Sequence, residues 1–166
     1  MTDDTTAAGV GSPAALDRLT WSRLNHLQVG RYAEYLVKME FTLRGFQVYS
    51  AEVDDRGIDF VCRKDKGPFF EVQVKSVRGL QYVFFPKQYF EPADSLVAAV
   101  VLFFDGEEPR LFLVPSVAWL EPDRLLVEHE YHGLKSKPEY GLNISKRNMP
   151  LLERFDFGAM VARLAG

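Results

Sequence analysis

The most regular pattern in the chain is the alternation within Gly57–Ser76, GIDFVCRKDKGPFFEVQVKS, two short apolar-polar runs separated by a charged turn. Successive side chains of a strand point to opposite faces, so Phe70, Val72 and Val74 make one face and Glu71, Gln73 and Lys75 the other. The Lys64–Gly67 segment, KDKG, has turn composition and predicts an antiparallel hairpin that brings Asp59 beside this polar row. Upstream, Tyr32, Leu36, Met39 and Leu43 recur at three- and four-residue steps and predict a helix from about Leu27, closed by Gly45. Glu34 shares its side of that helix with Gly30, Val37 and Phe41, and would stand at the margin of the buried stripe. Its plain structural use is an ion pair with Lys38.

The remaining elements follow from shorter signals. Phe46–Val53 predicts a strand ended by Asp54, Asp55, Arg56 and Gly57, the two aspartates reading as turn formers. Gly79–Phe90 is aromatic-rich, a strand or an irregular stretch. Leu96–Phe104 is an unbroken apolar run, which predicts a strand covered on both faces and central in its sheet, with Arg110–Pro115 returning beside it. Ser116–Pro122 reads as a short helix, Leu125–Tyr131 as an outer strand, and Leu151–Leu164 as an amphipathic helix running through Gly158.

Composition narrows the class. The chain has 166 residues, 47% apolar, enough for one domain with a core and too few for two. Residues 1–18, small, polar and punctuated by Gly and Pro, predict a mobile tail, leaving residues 19–166 as a single domain. An aromatic share of 13% favours a sheet over a helical bundle. No apolar run reaches the ~20 residues that cross a bilayer, and no leader pattern opens the chain, so no membrane partner and a cytoplasmic location are expected. Cys62 is the single cysteine, which excludes a disulfide framework and predicts a buried thiol. The net charge of −3 gives no overall positive field for nucleic acid, so such a partner would have to be held by a local strip. Lys135, Lys137, Lys146 and Arg147, interleaved with Tyr140 and Asn143, form the best candidate for a phosphate-contacting loop, with a solvated loop as the plain reading. His129 and His132 face opposite sides in a strand and read as a solvated edge.

A carboxylate, an oxygen donor and a lysine on one sheet face are the ingredients of metal-assisted phosphodiester hydrolysis. The helix with AEYL, the strand with GID and the strand with EVQVKS, in that order over Gly30–Val77, resemble the PD-(D/E)xK nucleases, the restriction-endonuclease-like superfamily that includes Holliday-junction resolvases. Within it, the chain is most similar to small bacterial proteins with an IQVKS-like strand, a QxK variant. The resemblance implies an α/β fold with an αβββαβ core, a mixed central sheet flanked by helices. It matches Glu34 to the helix carboxylate, Asp59 to the metal-binding aspartate and Lys75 to the catalytic lysine. Gln73 stands where the second acid is usual, and Ile58 where proline gives the motif its first letter. Glu71, two residues before Gln73, could supply part of the missing charge. The implied cofactor is Mg²⁺ or Mn²⁺, held by Asp59, Gln73, Glu34 and in part Glu71, or by the Gln73 or Val74 carbonyl. The implied activity is an endonuclease, on DNA before RNA, with a homodimer as a further expectation. The alternative is a nuclease-like module that has lost cleavage and binds nucleic acid or a protein; in a third reading the row is only a wet sheet face.

Overall fold

A computed structural model describes residues 18–50, 52 and 56–166. Residues 1–17 of the expected tail, and Asp54 and Asp55, lie outside the described residues. Helix α1, His26–Leu43, starts at a capping box: the Asn25 side chain accepts from the Gln28 N–H at 3.0 Å while the Asn25 N–H donates to Gln28 Oε1 at 2.9 Å. It ends at Gly45, whose φ of +85° suits glycine and whose N–H donates to the Thr42 carbonyl. The buried stripe is Val29, Ala33, Val37 and Phe41. The stripe expected from Tyr32, Met39 and Leu43 is instead the exposed side of the helix, and Leu36 is half-buried.

The hairpin forms as its pattern predicts. Strands β1 (Phe46–Ser50), β2 (Phe60–Lys64) and β3 (Phe70–Arg78) pair antiparallel in sequence order, with Cys62 opposite Phe70 and Phe60 opposite Val72. Asp65 turns the hairpin at φ +51°, and a Cβ on Gly67 would come within 2.9 Å of the Lys64 carbonyl. Strand β5, Leu96–Phe103, lies parallel to β3, and all eight of its residues are buried, as its unbroken apolar run requires. Antiparallel to β5 runs β6, Arg110–Pro115, completing a mixed five-stranded sheet in the order β1-β2-β3-β5-β6.

Helices flank this central sheet. Phe41 of α1 packs edge-on against Phe46, Phe60 and Phe157, so α1 and the C-terminal helix share one face. That C-terminal segment is broken where one helix was expected. Met149–Leu152 (α2) passes through a 3-10 turn, Glu153–Phe155, into Phe157–Ala165 (α3). The break falls at Asp156, which is extended at ψ 131° and caps α3 by accepting from the Ala159 N–H; Gly158 stays within the helix. Leading from β3 to β5, the crossover contains strand β4, Tyr82–Pro86, and a 3-10 turn, Lys87–Tyr89, in place of the α-helix of an αβββαβ order. Strand β4 is the edge of a second sheet, β4-β8-β7, with β7 at Leu126–His129 and β8 at Glu139–Asn143. Phe85, Phe90 and Trp119 anchor it, their ring centres 4.5 to 5.3 Å apart, and Trp119 Nε1 donates to the Gly141 carbonyl at 2.8 Å. Among the described residues no helix is long and apolar enough to cross a membrane.

Candidate active site

Alternation along β3 divides two environments. Val72 stands opposite Phe60, whose ring meets Phe41, so the even-numbered side chains of β3 face α1. Glu71, Gln73 and Lys75 therefore face away from α1, toward the crossover segment. Along this row Glu71 is exposed, Gln73 buried and Lys75 half-buried.

Asp59 is held where β2 leaves β3. Its N–H donates to the Val72 carbonyl at 3.0 Å although Phe60 is the residue opposite Val72, so two successive residues address one partner, as at a β-bulge. One step further along β3 the Val74 N–H finds a carboxylate instead of a backbone carbonyl, donating to Asp59 Oδ2 at 2.6 Å. This bond has a structural role, since it satisfies a backbone donor where the ladder stops. It also fixes the carboxylate against the strand that carries Gln73 and Lys75. The N–H and C=O of one strand residue point to the same side, so the Val74 carbonyl faces Asp59, while Gln73, in the parallel ladder opposite Ala98, directs its own toward β5.

Gln73 is 6% exposed, and its Oε1 has no hydrogen-bond partner among the described residues. The other end of the amide is close to Gly57: a Cβ there would lie 3.0 Å from Gln73 Nε2. An amide oxygen so placed suits a cation that needs oxygen ligands without full charge on each, and the Asp59 carboxylate is held at the N–H of the next residue, Val74. Lys75 lies with its Nζ 5.9 Å from the Phe84 ring centre and 5.5 Å from that of Phe85, both on β4. Its ammonium thus lies over rings at the edge of the second sheet.

The other expected site residues are placed differently. Glu34 lies on α1 with its side chain 21% exposed and its carboxylate 2.7 Å from Arg31, not paired with Lys38. Lys38 instead donates to Ser50 Oγ at 3.1 Å and lies over Phe60. Lys135, Lys137, Lys146 and Arg147 do not share a loop, because β8 lies between the two pairs. Lys87, which the sequence did not single out, is bound by Glu128 and Glu130. Burial acts to lower its pKa, but the two carboxylates outweigh this and hold it above its ordinary value. Burial pushes the Cys62 thiol up to about 12, in keeping with a structural cysteine. No cluster of three or more His, Cys, Asp or Glu side chains suited to a metal occurs among the described residues. Gln73 and the close approach of Gly57 belong to no such cluster, and only the GID and QVK spacing pointed to them.

No family model matches the sequence, and no curated protein matches it. Among solved structures, the chain is similar to Hjc, a Holliday junction resolvase from the archaeal hyperthermophile Archaeoglobus fulgidus, at a TM-score of 0.45 and 14% identity over 74% of this chain and 88% of that one. A likeness of that size assigns no role to any residue.

Proposed function

We propose that this chain is a divalent-metal-dependent phosphodiesterase acting on nucleic acid, with DNA the first substrate to test. The observation that carries the reading is the buried, unpartnered Gln73 Oε1 on the same face as Lys75 and next to an Asp59 carboxylate fixed at the strand divergence. Leaving such an oxygen unsatisfied costs about 1–3 kcal/mol, which a stabilising structural role would not leave in place. Asp59, Gln73 Oε1 and the Val74 carbonyl would hold Mg²⁺ or Mn²⁺, with Glu71 at the exposed end of the row. When bound, the ion supplies charge neutralisation at the phosphate and a more acidic water. Lys75 orients the attacking water and balances charge that develops on the phosphoryl oxygens. The Phe84 and Phe85 rings restrict its motion and thin the water around it. Glu34 has no part in this reading.

The test is incubation of the protein with supercoiled plasmid, linear duplex, branched DNA, single-stranded DNA and single-stranded RNA, in Mg²⁺, Mn²⁺ or EDTA. Metal-dependent cleavage supports the phosphodiesterase, and binding without cleavage supports a module that has lost it. Gln73→Glu adds an acid next to Asp59, which should lower the Mg²⁺ concentration for half-maximal cleavage. If neither wild type nor Gln73→Glu binds metal by calorimetry or cuts any substrate, the enzyme reading fails.

A further inference from the structure

The crossover from β3 to β5 leaves two large rings in the open beside the polar row. Phe84 on β4 is 50% exposed, and Tyr89 in the following turn is 45% exposed. Phe84 borders the Lys75 end, with its ring centre 5.9 Å from Nζ. Tyr89 borders the Gln73 end: its Cβ lies 3.5 Å from where a Cβ on Gly57 would be, the same point that is 3.0 Å from Gln73 Nε2. The segment does not need these rings for anchorage, because Phe85 and Phe90 on either side of the turn are fully buried against Trp119. An exposed phenylalanine on an edge strand is a hazard that a fold ordinarily avoids with a charge or a proline.

Flat rings beside a lysine fit one ligand chemistry well. Unpaired bases have open π-faces that stack on aromatic side chains, while their phosphates follow nearby cations. A continuous duplex hides those faces and offers only base edges in its grooves. A cationic border is also present. The Lys87 N–H donates to the Pro138 carbonyl at 3.0 Å, which ties the exposed loop of Lys135 and Lys137 to the turn that carries Tyr89.

We infer that Phe84 and Tyr89 form a stacking platform for unpaired bases, so that the site takes single-stranded nucleic acid, or a strand displaced from a duplex, ahead of continuous duplex. The inference rests on the proposed phosphodiesterase reading and gives it a substrate class. Binding is measured with Ca²⁺ in place of Mg²⁺, by anisotropy of a short labelled oligodeoxythymidylate, the matching oligoribouridylate and a hairpin duplex, and by the emission of a 2-aminopurine placed within a single strand. Wild type should prefer a single strand to the duplex and quench the 2-aminopurine, the two single-strand arms showing whether the sugar is deoxyribose or ribose. Phe84→Ala and Tyr89→Ala should each lower the ratio of single-strand to duplex affinity roughly five- to hundredfold and relieve the quench. Phe84→Leu, which keeps apolar area on β4, should do the same, and Tyr89→Phe should restore both signals. Equal affinity for single strand and duplex, or Phe84→Leu binding the single strand as wild type does, overturns the platform. A protein that stacks the oligomer yet hydrolyses nothing in Mg²⁺ or Mn²⁺ loses the phosphodiesterase reading and keeps the platform. One that cuts duplex and single strand alike, with Tyr89→Ala indistinguishable from wild type, loses the platform and keeps the phosphodiesterase.

Discussion

Gly57 meets two requirements at once, a backbone φ of +71° and a close approach to the Gln73 amide. The backbone strains any side chain there, and a Cβ would also require the Gln73 amide to shift. Gly57→Ala should therefore cost on the order of 1–3 kcal/mol and displace Gln73, to be read as a lower urea midpoint at unchanged slope. An unchanged midpoint would mean that neither the backbone conformation at position 57 nor the Gln73 amide resists a side chain. Lys75 requires a substitution of similar length and apolar character, since its ammonium lies over Phe84 and Phe85. Lys75→Met keeps an apolar side chain of similar length beside those rings and removes the charge. It should lower metal-dependent cleavage by orders of magnitude while the melting temperature shifts by only a few degrees. Thermal collapse with activity intact would make Lys75 a structural partner instead.

At the scale of elements, what the sequence conveyed was whatever depends on near neighbours. The β2-β3 hairpin was legible because its alternation and its KDKG turn are local, and β5 because a short unbroken apolar run with branched residues suits a strand covered on both faces. Helix α1 was legible as a helix but not in its orientation. It has two apolar stripes, and the larger residues, Tyr32, Tyr35, Met39 and Leu43, are on the exposed one, while Ala33 and Val37 let the helix approach the sheet closely. Size alone pointed to the wrong face. Likewise Gly158 was the visible irregularity near the C terminus, yet the break is at Asp156, whose capping bond depends on the backbone bend there.

A second capping carboxylate permits a test in pH. Asp123 accepts from the Leu125 and Leu126 N–H groups and from Arg154, each at 2.7 Å, joining the loop before β7 to the turn between α2 and α3. Burial acts to raise its pKa, but these hydrogen bonds and the Arg154 charge outweigh it and hold the carboxyl below its ordinary value. A lowered folded-state pKa means stability that is present above the unfolded value near 3.9 and lost as pH falls through the folded one. Asp123→Asn should thus lower the urea midpoint at pH 7 by an amount equal to about 1 kcal/mol and flatten the loss of stability below pH 4. Parallel acid titrations of wild type and variant would contradict this.

For the molecule as a whole, the site was half legible. GID and QVKS named its residues, but the rings beside Lys75 come from β4, whose pairing with β8 joins segments some sixty residues apart in sequence. The same pairing separates the basic residues. Pro86 of β4 lies opposite Glu139 and Tyr82 opposite Asn143, so Lys135 and Lys137 precede the end of β8 nearest Lys87 and Tyr89, while Lys146 and Arg147 follow the other end, about 17 Å away along the strand. With a net charge of −3 the chain provides no general attraction for polyanions, so each phosphate contact should register individually. Lys135→Gln with Lys137→Gln should weaken binding of a single-stranded oligonucleotide and flatten its log-affinity against log-salt slope by about 1.4, the value for two phosphates no longer neutralised. Lys146→Gln with Arg147→Gln should leave the slope within error. Should the second pair carry the loss instead, the strand would run past the Tyr82 end of the second sheet. Lys75 and Gln73 would then lie off its path, and the proposed site would have to be given up.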